Sequence, residues 1–195
     1  MSSVVISGDT SGAITLSSPA VSGTNTQTLV ATTGTLAPIV SGTAVASTSG
    51  TSIDFTSIPS WVKRITVMFN ETSTSGTSQY LIQLGSGSVT TTGYTSTGTA
   101  IQGTAVGANN SSIGFLLGNT DGGATWIKRG ASIFQSFGSN IWVGSSSLSV
   151  TNAASDRAEF CAGKIALAGV LDRVRITTVN GTDTFDAGSI NILYE

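Results

Sequence analysis

The chain has 195 residues with eight basic and ten acidic side chains, so only 9% are charged and the formal net charge is −2. So few Lys and Arg exclude a nucleic-acid binder, which needs cations to neutralise phosphates, and sparse, nearly balanced charge excludes a classically disordered chain. Thirty Ser, thirty Thr and 24 Gly, beside frequent Val and with no long run at helical spacing, predict an all-β protein, because β-branched residues suit a pleated surface.

Residues 1–50 carry one charged side chain, Asp9, and no aromatic. Short apolar steps recur between Gly, Ser, Thr and Asn: VVI at 4–6, AITL at 13–16, QTLV at 27–30 and PIV at 38–40. Each step is too narrow to build a core from one chain. The expectation is an extended N-terminal arm over 1–50 that gains its interior from sister copies, with Ile14, Leu16, Leu29 and Ile39 as candidate contacts in a trimer. The alternative is a flexible Ser/Thr/Gly linker. A surface this poor in charge keeps copies apart weakly, which also points to a homo-oligomer.

The texture changes at Thr51. IDFTSIP, VKRITVMFN, YLIQLGS, SIGFLLGN, TWIKRGASIFQSF, NIWVGSSSLSV, AEFCAGKIAL, DRVRITTV and SINILYE follow in order, separated by turn-rich stretches such as ETSTSGTS and GNTDGG. Pro59 closes the first run, since proline cannot donate to a ladder. Regular short strands with turn signals between them predict an antiparallel, jelly-roll-like β-sandwich over 51–195. Near the end, Val174, Ile176 and Thr178 alternate with Arg173, Arg175 and Thr177, the period of a strand with one dry face. Asn180-Gly181 then permits the positive φ angles of a tight hairpin turn. Alternation resumes after Gly188 with Ile190, Ile192 and Tyr194, so the final strand is expected to lie pinned inside a sheet.

The chain has no histidine. That removes Ser-His-Asp and Cys-His nucleophile systems and the commonest metal ligand. No catalytic residue, metal ligand or cofactor is expected. The single cysteine, Cys161, can form no intrachain disulfide and reads as a buried small hydrophobe. Paired carboxylates could still cleave a glycan across a cleft. Asp183 and Asp186 sit close together in TDTFDAG, and capping of turn amides is the plainer role for both. Asp121 is the only carboxylate of GNTDGG, too few for a tight calcium loop.

Of the three tryptophans, Trp126 follows that glycine-rich loop and is the best placed to stack on a sugar. Trp126, Asp121, Asp183 and Asp186 are therefore the candidate contacts to a glycan or a host surface. Lys63-Arg64 and Lys128-Arg129 are split between opposite strand faces. Arg173 and Arg175 share a face, solvated or turned to carboxylates of a neighbouring copy. No apolar run reaches membrane-spanning length, so no membrane insertion is expected. MSSVVISGDTSG lacks the basic and apolar regions of a signal peptide, so folding in a cytosol is expected.

The segment GDTSGAITLSSPAVSGTNTQTLVATTGTL at 8–36 resembles the opening of tail-fibre and other virion structural proteins of tailed bacteriophages. SIDFTSIPSWVKRITVMFNETSTSGTSQYLIQLG at 52–85 and DRVRITTVNGTDTFDAGSINILYE at 172–195 resemble the C-terminal knob of the same class. These pieces cover nearly half of the chain; the middle, about 86–170, is similar only in composition. The resemblance implies a homotrimeric appendage of a virion, assembled in the host bacterial cytoplasm. It would be attached to capsid or tail proteins by its N-terminal arm and would display the knob for adhesion, with a host-surface glycan as a candidate partner. A head fibre or a capsid decoration protein that stabilises the shell is the alternative, and a glycan-degrading tailspike a more distant one.

Overall fold

A computed structural model describes residues 3–7, 13–17, 38–119, 124–152 and 156–195. The described residues form strands and loops and contain no helix. The chain divides into two units, Met1–Leu36 and Ala37–Glu195. In the first, β1 (Ser3–Ser7) and β2 (Ala13–Ser17) pair antiparallel. Their register sets Val4 opposite Leu16 and Ile6 opposite Ile14.

The second unit begins with two short strands, β3 (Val40–Ser41) and β4 (Val45–Ala46), then β5 (Ser52–Thr56), β6 (Arg64–Thr74), β7 (Tyr80–Ser86) and β8 (Ser88–Val89). It continues with β9 (Thr95–Gln102), β10 (Ala105–Ser111), β11 (Phe115–Leu117), β12 (Ile127–Gly138) and β13 (Ile141–Thr151). It ends with β14 (Asp156–Ala166), β15 (Arg173–Thr178) and β16 (Phe185–Tyr194). All pairings are antiparallel and make two sheets. The large sheet has nine strands in the order β10-β9-β14-β13-β12-β6-β16-β3, with β4 also on β16. The small sheet runs β11-β7-β15-β5, with β8 on β7.

The alternation in the sequence decides which side chains enter the space between these sheets. The large sheet buries Ile65, Val67 and Phe69 from β6, Phe134 from β12, Trp142 and Leu148 from β13, and Ile190 and Ile192 from β16. The small sheet answers with Ile53, Phe55, Ile82, Leu84, Phe115, Val174 and Ile176. Aromatic rings join the two layers: Phe115 and Phe134 centroids lie 4.8 Å apart, and Tyr80 meets Phe185 edge-on at 5.6 Å. Such pairs add about 0.5–1.5 kcal/mol beyond the area they bury. Cys161 lies buried in this core on β14, and burial pushes its thiol pKa up.

Eight strands nest in order. β4 pairs with β16, β5 with β15, β6 with β12 and β7 with β11, so the first partner of the set meets the last and the middle two meet each other. The chain steps between sheets at β4 to β5, β5 to β6, β6 to β7, β8 to β9, β10 to β11, β11 to β12, β14 to β15 and β15 to β16. The last step corrects the hairpin expectation at Asn180-Gly181. Gly181 does adopt a positive φ of 67°, but the turn leads from the small sheet across to the large one. Strand β16 lies inside the large sheet, paired with β6 on one side and with β3 and β4 on the other. β3 and β4 thus belong to the second unit, although both fall within residues 1–50.

Candidate functional site

The inner face of the large sheet, mostly apolar with a few buried serines such as Ser132 and Ser146, becomes charged at one end. On β14 the inward positions Arg157 and Glu159 continue the phase of Cys161 and Ile165. On β12 Lys128 points the same way. Glu159 is fully buried. Its Oε2 lies 2.5 Å from Lys128 Nζ and its Oε1 lies 2.5 Å from Arg157 Nη2. The side chains of Lys128 and Arg157 are only 5% and 3% exposed.

Aromatic faces complete the enclosure. The Arg157 guanidinium carbon sits 4.2 Å from the centroid of the Trp126 ring, and Lys128 Nζ sits 5.0 Å from that of Tyr80. Cation–π contacts of this kind gain strength when they are dry. Gly118, at φ 86°, leaves room for the carboxylate: a Cβ there would fall 2.5 Å from Glu159 Cδ. Desolvation pulls the Lys128 pKa down while Glu159 pulls it up, with desolvation the larger effect. A carboxylate gripped by two cations in a dry pocket is an electrostatic clamp between β12 and β14.

Trp126 is therefore half-buried as the lid of an ion cluster. Trp142 is core, and Trp61 is partly exposed with its ring 5.9 Å from that of Tyr194. The sequence reading did not single out Lys128, Arg157 or Glu159 as a cluster. The available signal was phase: once Cys161 and Ile165 are taken as inward, Glu159 and Arg157 follow at steps of two.

Asp183 lies in the loop just before β16 and Asp186 on β16 itself, and the two serve separate contacts. Asp183 accepts a hydrogen bond from the Ser78 backbone N–H at 2.9 Å and one from Asn180 Nδ2 at 2.6 Å. The Asn180 side-chain oxygen in turn accepts from the Thr182 and Asp183 amides. The loop after β15 is thereby stapled to the loop after β6. Gly76 is required there, because a Cβ would fall 2.2 Å from the Asp183 carboxylate. Asp186 accepts a hydrogen bond from Ser73 Oγ on the neighbouring strand. Asp121 and Leu29 lie outside the described residues. Ile14 and Leu16 are on β2, and Ile39, just ahead of β3, is 68% exposed.

Arg173 and Arg175 find carboxylates in their own chain. Arg175 grips Asp54 with two bonds of 2.7 and 2.8 Å, and Arg173 pairs with Asp172 at 2.7 Å. The Arg173 guanidinium holds the Asp172 carboxyl below its usual range. Arg129 likewise pairs with Glu71, and Arg64 with Glu195 at 2.6 Å.

Among the described residues, no three of His, Cys, Asp and Glu are grouped to hold a metal ion. Shallow grooves remain. One of about 330 Å³ runs between Gln79, Asn110, Ile113 and Val179, and its lining bears no charge. Another of about 420 Å³ lies on the outer face of the large sheet beside Ile101, Ser147, Ser149 and Ala158. Compared with protein-family models, curated proteins and solved structures, the chain matches none of them.

Proposed function

We propose that this chain is a structural protein of a bacteriophage virion, a homotrimeric fibre or spike. Its N-terminal arm attaches to capsid or tail proteins, and its C-terminal knob adheres to the host surface. The observation that carries this reading is the nested pairing of β4–β16, β5–β15, β6–β12 and β7–β11. That order is the one two Greek keys produce in a jelly roll, an architecture common to capsid and carbohydrate-recognition domains. The sequence resemblance at 8–36, 52–85 and 172–195 supports the same class.

The activity assigned is non-enzymatic. Each weak contact of a knob gains by multiplication over copies, since a second binding event on a tethered array is intramolecular. The charge-free groove beside Gln79 and Asn110 and the half-buried Trp126 suit a neutral glycan better than a charged ligand. Intertwined fibrous β-structure in the arm belongs to the proposal as well.

The test is binding of the purified full chain to host envelope, and to emptied capsids, with and without residues 1–36. Adhesion to envelope that survives removal of those residues supports the fibre. Binding to capsids alone, lost on the same truncation, replaces it with the decoration protein. Release of sugar fragments from envelope, abolished by Asp183→Asn, replaces it with a tailspike.

A further inference from the structure

The outer face of the large sheet is wide, and most of its charged side chains are paired within the chain. The register aligns Met68, Ala131, Ser147, Phe160, Thr99 and Ala108 in one outward row across six strands. The next outward row holds Thr66, Ile133, Ser145, Ala162, Thr97 and Asn110. Ile133 and Phe160 are 38% and 40% exposed, and Ser147, the register partner of Phe160, lines the hollow of about 420 Å³. At the β6 side, Arg129 and Glu71 neutralise each other.

Arg64 and Glu195 pair likewise, and of the other charges Asp156, which also attracts Arg129, and Lys164 are placed symmetrically. On β14 the outward residues run Asp156, Ala158, Phe160, Ala162, Lys164, so the acid and the base stand four residues either side of Phe160. Rotation by a half-turn about an axis crossing β14 at Phe160 lays the Asp156 of one copy over the Lys164 of another, and the reverse. That is the signature of an isologous contact, in which i meets j and j meets i. The span from Asp156 to Lys164 is about 27 Å, and six strands at about 4.8 Å spacing cover a similar width. The face therefore offers roughly 700–800 Å², close to the ~800 Å² per partner of a stable interface.

We propose that a second copy of this chain docks here, sheet against sheet, about a two-fold axis at Phe160. Small side chains let the layers approach, and the two Phe160 rings meet on the axis. Asp156 and Lys164 make two equivalent cross-copy pairs that set the register. A strongly charged partner would find little to pair with on this face. The contact joins copies two by two, whichever way residues 1–50 assemble.

The experiment is native mass spectrometry and sedimentation of the full chain across a concentration series. The expected species contain an even number of chains. Lys164→Asp or Asp156→Lys weakens the pairing by about tenfold, two exposed ion pairs being reversed at once. The double swap D156K/K164D restores it to within about threefold, which loss of folding could not do, and Phe160→Arg abolishes it. Should the variants fail to fold, hydroxyl-radical labelling of the unaltered chain decides. Phe160 and Met68 become protected as concentration rises, while Trp61 does not. An assembly indifferent to F160R and to the single reversals, or labelling of Phe160 unchanged by concentration, overturns the two-fold face and leaves the trimeric fibre standing. Trimers that pair into hexamers uphold both. A chain that stays monomeric throughout overturns both.

Discussion

At the scale of single residues, the costly choices are the buried charges and the buried hydroxyls. Glu159 holds Lys128 and Arg157 together where all three side chains are almost wholly buried. Removing one partner of such a cluster strands the others, at about 3–5 kcal/mol. Glu159→Gln should therefore lower unfolding stability by about that much in urea titrations. Replacing all three with apolar residues of similar volume should cost far less, because the desolvation penalty disappears with the charges.

Tyr94 makes a second prediction. Its hydroxyl accepts from the Leu84 amide at 2.8 Å and reaches the Leu84 and Thr90 carbonyls at 3.2 and 3.0 Å. Burial pushes its pKa up to about 12. In the unfolded chain a tyrosine ionises near 10, so the unfolded state loses its proton first. The stabilising term is intact below pH 10 and is lost as pH rises towards 12, by about 2–3 kcal/mol in all. Unfolding midpoints should fall over that interval, and Tyr94→Phe should flatten the fall while lowering stability at neutral pH.

At the scale of elements, what could be read from the chain depended on how each strand earns its place. The nine strong runs correspond to β5, β6, β7, β11, β12, β13, β14, β15 and β16. Their large apolar residues alternate because they fill the space between two sheets. β9 and β10 were not legible. The inward residues of β9 are Ser96, Gly98 and Ala100, and the reason is distance, since backbone of the small sheet lies directly against them. A Cβ on Gly98 would fall 2.1 Å from the Gly118 carbonyl oxygen. A strand kept small by a close neighbour shows no hydrophobic period. The clamp was hidden for a related reason: its charged residues occupy phases that usually hold core side chains. Gly98→Val should therefore lower stability, although Val is the better strand former, by about the 1–3 kcal/mol of an overpacked core or more. An unchanged urea midpoint would mean that β9 and β11 do not approach as described.

At the scale of the whole molecule, the division between the two units can be located by truncation. Composition changes at Thr51, but the contacts of the second unit begin earlier, at Ala37. The Gly42 amide donates to the Ile192 carbonyl at 2.7 Å, and the Ser47 amide to that of Gly188 at 2.9 Å. Ser47 is fully buried and its hydroxyl donates to the Ala187 carbonyl at 2.7 Å, while the Gly50 carbonyl accepts from the Phe185 amide. These bonds cover the side of β16 that β6 leaves open. A chain beginning at Thr51 loses all of them, and at about 1 kcal/mol each the loss comes to roughly 3–5 kcal/mol. It also turns β16 into an open edge, a template for pairing with other chains. Residues 37–195 and residues 51–195 both lack the first unit, so a comparison of the two isolates this strip. The shorter chain should unfold at clearly lower urea and aggregate at concentrations where the longer one stays dispersed. Equal midpoints would show that residues 37–50 contribute nothing to the stability of the second unit.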